Sequence, residues 1–493
     1  MRIHKIKLFI PVLVILAGLG VVACGGGGGS SIAGGGIGGT GVTASGAITG
    51  FGSIKLNGLV FDTSNATRIV DGEPAADDSA LAVGMVVTVT GMLGADGVNG
   101  TADRIEYDDE VQGPIQGPVV VIDQTKTFSV MGVKVSVNRI STVFENTDFV
   151  SLLAGDLVEL SGFFDAAGIL HATRIELKAG NEVEVKGTVE QFLGLRTFEL
   201  DVNNGAIMYI VDYSAIVNVP PERFDYVEVK GTLAGNTIIA TEIELEDEGY
   251  DDVDKASIEG IVTGFVAGGI ANFQVAGQKV DASGASFSPA ALETSLADGM
   301  EVEVEGPIVN GVLQALEVEA RGGDFEIGAM VQSVAADAGG LTGSITLDYY
   351  PPGSLVVLVD SQTLLRDDTE VVDPLTIADI VPMNDFLEVK AYLGDSGNLV
   401  ATEIRRDDRG DDLLQGPVEN CDGVTLTILG LEFGLDDNVT SYEDENEDPV
   451  GSAVEFCALA NVGTLVKIVD EYDDEQQPVM FPDGIADEAE LED

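Results

Sequence analysis

Apolar residues alternate with polar or charged ones in six stretches of this chain, at residues 86–91, 157–162, 226–231, 301–306, 386–391 and 465–470. A period of two places every second side chain on one face, so a run such as Val302-Glu303-Val304 predicts a half-buried β-strand. A second phrase follows each stretch. It reads Ala102-Asp103-Arg104-Ile105-Glu106-Tyr107, then Ala172-Thr173-Arg174-Ile175-Glu176-Leu177, then Ala240-Thr241-Glu242-Ile243-Glu244-Leu245, with looser copies from Ala315, Ala401 and Ala486. The links between them, such as Asp165-Ala166-Ala167-Gly168 and Val309-Asn310-Gly311, are rich in turn residues and predict hairpins.

Successive phrases start 70, 68, 75, 86 and 85 residues apart, a period that marks repeated supersecondary units. Each unit opens on another strand pair, clearest at residues 47–54 and 56–61, the second containing Leu56-Asn57-Gly58-Leu59. Between the pairs, residues 79–83, 150–154 and 289–297 carry Leu and Ala near helical spacing and predict a helical turn. Four to six strands in about 70 residues suggest a small closed or half-open barrel, because closure removes aggregation-prone edges. The expected fold class is all-β: a tandem array of about six barrel-like modules with short helical turns, each wrapping its own core. Expected bounds are 45–110, 111–180, 181–255, 256–325, 326–411 and 412–493 for modules 1 to 6.

The phrases Gly50-Phe51-Gly52-Ser53-Ile54 with Leu56-Asn57-Gly58, the run 81–91, and the Ala-Thr-x-Ile-Glu repeats resemble bacterial lipoproteins that carry the domain of unknown function 5666. The resemblance is good in modules 1 and 2 and fair in module 4. Modules 3, 5 and 6 depart from it, with Asp225 and Asp385 in the turn that holds Gly84, Gly155 and Gly299. It implies a barrel similar to the oligonucleotide- and oligosaccharide-binding (OB) fold, and no established activity.

Ahead of the repeats, Arg2, Lys5 and Lys7 precede an apolar run at residues 8–23, too short to read first as a spanning helix. Residues 1–23 read as a signal peptide. Its end, Val21-Val22-Ala23-Cys24, resembles the bacterial lipobox, which implies lipidation of Cys24. Gly25 after the cysteine, by resemblance to the sorting rule of such proteins, implies the outer membrane; the leaflet stays open. Residues 24–44 are Gly-rich and read as a flexible tether. Gly36-Ile37-Gly38-Gly39-Thr40-Gly41 matches a dinucleotide fingerprint formally, but lacks the flanking strand and helix that binding requires.

Charge narrows the partners. Removing residues 1–23 leaves 21 basic against 84 acidic residues, a net charge of −63. Such a field repels phosphate backbones, so nucleic acid is not an expected partner, whereas cations and basic proteins are. With 45% hydrophobic residues in regular alternation, the chain folds despite its acidity, and the acid is expected mainly on a solvated surface.

Candidate chemistry is sparse. Cys421 and Cys457 are the cysteines left beyond Cys24, and an oxidising compartment favours a disulfide between them over buried free thiols. His171 is the sole histidine after residue 23, which excludes multi-histidine zinc sites and histidine triads. Asp395-Ser396-Gly397 imitates half of an aspartic-protease dyad, but falls in a closing hairpin turn. Acidic clusters near module ends offer weak calcium candidates at Asp108, Asp109, Asp251, Asp252, Asp411, Asp412, Asp473 and Asp474, without any EF-hand spacing. Solvated linker charge is the competing reading. The sequence therefore predicts no enzyme and no resident cofactor, calcium aside. It favours a lipid-anchored structural or interaction array of the cell envelope. A ligand-binding lipoprotein for a cation, a glycan or a basic partner comes second, and an envelope hydrolase third.

Overall fold

Alternating Val, Ile and Leu positions close into barrels in the computed structural model. It describes residues 40–122, 125–139, 141–202, 207–216, 221–246, 249–266, 268–323, 325–337, 340, 342–349, 353–360, 363–369, 372, 375–394, 397–444, 448–472 and 483–492. Cys24, the fingerprint-like residues 36–39, Asp395, Ser396, Asp473 and Asp474 lie outside the described residues.

Module 2 shows the plan. Its first strand, Val111–Ile122, pairs antiparallel with Thr125–Val130, which pairs with Val133–Asn138. That third strand runs parallel to the last, Ile169–Leu177, and Leu157–Phe164 closes the ring between the last strand and the first. The order 1-2-3-5-4-1 is that of an OB-like barrel. Modules 3 and 5 repeat it in full, and module 4 does so with its last strand split into Val312–Gln314 and Glu317–Ala320. Between strands three and four lie a short parallel strand, Val143–Glu145 in module 2, and in other modules a helical turn. The turns are Asp78–Ala80, Leu292–Ser295, Ile377–Asp379 and Ala453–Leu459. Residues 150–154 form a turn without helix, correcting the helical expectation there: Asp148 and Asp156 carboxylates hold the backbone N–H groups of Ser151 and Leu153 instead.

Two local features explain the repeat. The second and third strands are joined by two-residue turns with both residues left-handed, Asn57-Gly58, Met131-Gly132, Ala276-Gly277 and Leu429-Gly430, the geometry whose twist matches a hairpin. In strand four the glycine does not end the strand as its pattern suggested. The strand runs on past it, and at Gly231 a Cβ would come within 2.3 Å of the Ile239 carbonyl, beside a register shift between Lys230 and Gly231.

Two sequence expectations change. The tether ends earlier than residue 44, because Thr40–Ala47 is the first strand of module 1, pairing with Val86–Leu93. Its Gly- and Ser-rich composition hides two buried apolar positions, Val42 and Ala44. Second, the cores are not six. Modules 1 and 4 have their own, but one cluster runs through modules 2 and 3 and another through modules 5 and 6. Tyr349 of module 5 stacks edge-on with Phe433 of module 6, centroids 6.1 Å apart, and its hydroxyl donates to the Leu413 carbonyl at 2.6 Å. Residues 39–493 form one compact unit.

The barrels join through their first strands. Residues 42–45 run parallel to residues 255–258, linking modules 1 and 4. Val111 and Gln112 pair antiparallel with Val185 and Glu184, linking modules 2 and 3, and residues 326–328 pair with 413–415, linking modules 5 and 6. In module 6, Cys421 and Cys457 are bonded, their Cα atoms 5.2 Å apart across a separation of 36 residues.

Before strand four, Gly84, Gly155 and Gly299 take positive φ, and in module 3 that place falls to Phe224, φ 74°, rather than to Asp225. In module 5 it falls to Met383, φ 62°, rather than to Asp385. Phe224 is largely exposed, so Phe224→Gly loses little packing and relieves backbone strain. A gain of up to about 1 kcal/mol, read as a higher melting temperature, is expected; a lower one refutes the strain. Loss of the disulfide in Cys457→Ala is expected to cost roughly 3–4 kcal/mol by loop closure, seen as earlier unfolding of the C-terminal barrel under oxidising conditions.

Candidate functional site

In a barrel strand one face fills the core and the other points out, so Glu, Lys and Arg at alternate positions were expected in water. Joining barrels through their first strands covers many of those outward faces with the next module. Glu159, Glu184, Glu228, Lys230, Glu303, Glu403, Arg405 and Lys467 are all buried, which corrects the expectation of a merely solvated charge at these positions. Buried charges are tolerable only when paired, and the junctions are accordingly ionic networks.

The junction of modules 1, 2 and 3 is the densest. Asp71 sits in the turn after strand Thr67–Val70, its N–H donating to the Tyr107 carbonyl at 2.8 Å. Asp109 lies on the link between modules 1 and 2, and Glu184 on the first strand of module 3, Glu182–Phe192. One carboxylate oxygen from each lies within 4.8 Å of the others. Lys230 reaches in from strand four of module 3. Its Nζ donates to the Asp71 carbonyl at 2.9 Å and lies 3.0 Å from Glu184 Oε1 and 3.7 Å from Glu228 Oε2. Lys178 Nζ is 2.7 Å from Glu159 Oε2, and the Tyr107 hydroxyl donates to Glu159 Oε1 at 3.3 Å.

Burial dominates the electrostatics here. It pushes the Asp71 carboxyl up to about 6, with the Glu159 charge adding to the rise. Asp109 rises well above the carboxylate range through burial and the neighbouring Glu184 charge, and Glu184 rises through burial and Glu228. Asp109 Oδ1 is buried with no hydrogen-bond donor among the described residues.

The junction of modules 1 and 4 is held by an amide. Asn57 Nδ2 donates to the Ser45 carbonyl at 2.9 Å and to the Ser257 carbonyl and hydroxyl at 3.2 and 2.9 Å. Ser257 Oγ donates to Glu303, which is also paired with Arg321. Glu303, Glu305, Glu317 and Glu319 line a strongly acidic pocket on this module. In module 5, Arg405 pairs with Glu388, with Asp368 at 2.9 Å and with Asp407 at 3.0 Å, while Arg366 NH1 lies 3.3 Å from Glu403. Modules 1, 2, 4 and 5 line a partly open cavity of about 120 Å³ whose wall mixes apolar residues with Asn57, His171, Glu259, Arg321, Lys390 and Glu403. His171 Nε2 lies 3.1 Å from Asp165 Oδ2, the turn residue of its own hairpin.

Of the calcium candidates, Asp109 alone joins a carboxylate trio among the described residues. Asp108 and Asp251 are exposed. The exposed Asp252 carboxylate accepts from the N–H groups of Asn310 and Gly311, each at 3.0 Å, and so caps a hairpin. Asp411 accepts from the Tyr472 N–H at 2.7 Å, and Asp412 is buried against Arg409 at 2.8 Å. Asp71 and Glu184 escaped the sequence reading. Glu184 carried a usable signal, since residues 182–186 alternate charge and valine like a core strand whose outer face also has a neighbour.

The sequence profile of the domain of unknown function DUF5666 matches residues 42–106, 113–176, 221–244, 259–319 and 330–405. A solved structure titled drosophila Unr CSD456 aligns at 13% identity over 47% of this chain and 98% of that one, with a TM-score of 0.13. No curated protein matches the chain.

Burial pushes Glu403 up to about 7, against the opposing pull of Arg366, Lys390 and Arg405. The folded state thus binds a proton that the unfolded state, near 4.5, has released, so stability falls as pH rises through the window between these values. Melting in the presence of EDTA is expected to show a loss on the order of 1–3 kcal/mol from this group between about pH 5 and 8. Glu403→Gln should flatten that slope; an unchanged slope rejects the assignment.

Proposed function

The chain belongs to the DUF5666 domain family, and on that premise we propose that it is a lipid-anchored protein of the bacterial cell envelope, held at the outer membrane through Cys24. Its fused barrels are a non-enzymatic scaffold that presents an acidic surface to cations or to a basic partner protein. One observation carries this reading: the buried charge is nearly balanced while the total is not. Among the described residues eleven acidic and seven basic side chains are buried, so most of the acidic excess of the described residues is carried by side chains that are at least partly exposed. A field of that sign concentrates cations and speeds encounter with basic surfaces.

A second reading, a binding protein for a small ligand such as a glycan unit, is supported by the cavity among modules 1, 2, 4 and 5, where charged and amide side chains meet apolar ones.

Detergent phase partition of cell envelopes tests the anchor. The wild-type protein is expected in the detergent phase and with outer-membrane fractions, and Cys24→Ser in the aqueous phase. Identical partition of the two proteins removes the anchor. For the surface, a polylysine column is expected to retain the purified protein at low salt and release it as the Debye length shrinks below about 8 Å; passage without retention removes the scaffold reading.

A further inference from the structure

Three carboxylates, one each from modules 1 and 3 and one from the link between modules 1 and 2, converge where modules 1, 2 and 3 meet, and one of their buried oxygens has no hydrogen-bond partner among the described residues. Asp109 is 1% exposed, and its Oδ1 accepts no hydrogen bond among the described residues. The two lysines nearby are committed elsewhere: Lys230 to the Asp71 carbonyl, Glu184 and Glu228, and Lys186 to Glu110 and Glu228 at 3.7 and 3.8 Å. An unpaired buried carboxylate is costly, and it is relieved either by a proton or by a bound cation that displaces the proton.

The spacing fits. Oxygens that share one calcium ion at 2.3–2.6 Å lie no more than about 5 Å apart, and the three ligand oxygens lie within 4.8 Å of one another. The donor set is all oxygen, which selects hard cations over soft ones. Three carboxylates offer up to six oxygens with no fixed octahedron, which suits calcium better than magnesium.

We propose that Asp71, Asp109 and Glu184 bind one hard divalent cation, calcium in preference to magnesium, as a structural pin between modules 1, 2 and 3. Asp71 ties in the barrel of module 1, Asp109 the link into module 2, and Glu184 the first strand of module 3, which is already paired to module 2. The cation neutralises charge that the lysines leave over, and it locks the angle between the first barrels. The site stands independently of the lipid anchor and of the acidic outer surface.

Full-length protein, purified in detergent and stripped with EDTA, is titrated with calcium chloride and magnesium chloride by calorimetry and thermal melting. One saturable calcium site is expected, filled at or below about 1 mM, the range of extracellular calcium modules, with a raised melting temperature and weaker binding of magnesium. Asp109→Asn and Glu184→Gln, with β circular dichroism unchanged, should lose both the heat and the melting shift. Glu317→Gln, in the acidic pocket of module 4, should keep them. Absence of saturable heat in the wild type overturns the proposal. So does a calcium shift that survives Asp109→Asn, or one that disappears in Glu317→Gln.

Discussion

The pairing of first strands between barrels is the constraint on which the rest of the molecule depends. A closed five-stranded barrel satisfies most of its backbone, but a first strand of eleven or twelve residues, as in Glu182–Phe192, Val111–Ile122 or Phe325–Ala336, is shared with a second barrel. Backbone N–H and C=O groups that would face water at an edge find partners there instead. Three such pairings, 1 with 4, 2 with 3 and 5 with 6, turn a linear repeat into one body, and the last two come with shared cores.

Once the strands are paired, the chemistry of the junctions follows from the pleat. The inward residues of each strand stay apolar, and outward ones such as Glu159 and Lys230 are carried into contact with another module. The interface is thus cemented by ions and amides as much as by grease. The Asn57 amide spans modules 1 and 4, donating to the Ser45 carbonyl of one and to Ser257 of the other, and Arg405 gathers three carboxylates in module 5. Charged junctions of this kind are specific, because a mismatched pair leaves an uncompensated charge in a dry place.

The barrels were legible in the sequence, and the junctions were not. Val87, Val89, Ile105 and Tyr107 sit at every second position and are all buried, so period two located the strands. Asn57-Gly58, read in the sequence as part of a strand at 56–61, is instead the turn between Ile54–Leu56 and Leu59–Asp62. Thr40–Ala47 was missed because a strand made mostly of Thr, Gly, Ser and Ala has too little contrast between its faces. Outward glutamates carry no mark of what they face: Glu184 and Glu199 both alternate with apolar neighbours, yet the first is buried in a junction and the second is half-exposed on the surface. Asp71 and Glu184 meet only because the barrels dock, a fact that period and composition do not encode.

The parallel pairing of residues 42–45 with 255–258 sets a schedule for the nascent chain. A polypeptide emerging from its N-terminus exposes the first strand of module 1 long before its partner exists, so one edge of the earliest barrel waits while two further barrels are made. A strand of Thr-Gly-Val-Thr-Ala-Ser-Gly-Ala is suited to waiting. Its few apolar side chains make it a poor template for strangers, and the poverty of pattern that conceals it also protects it.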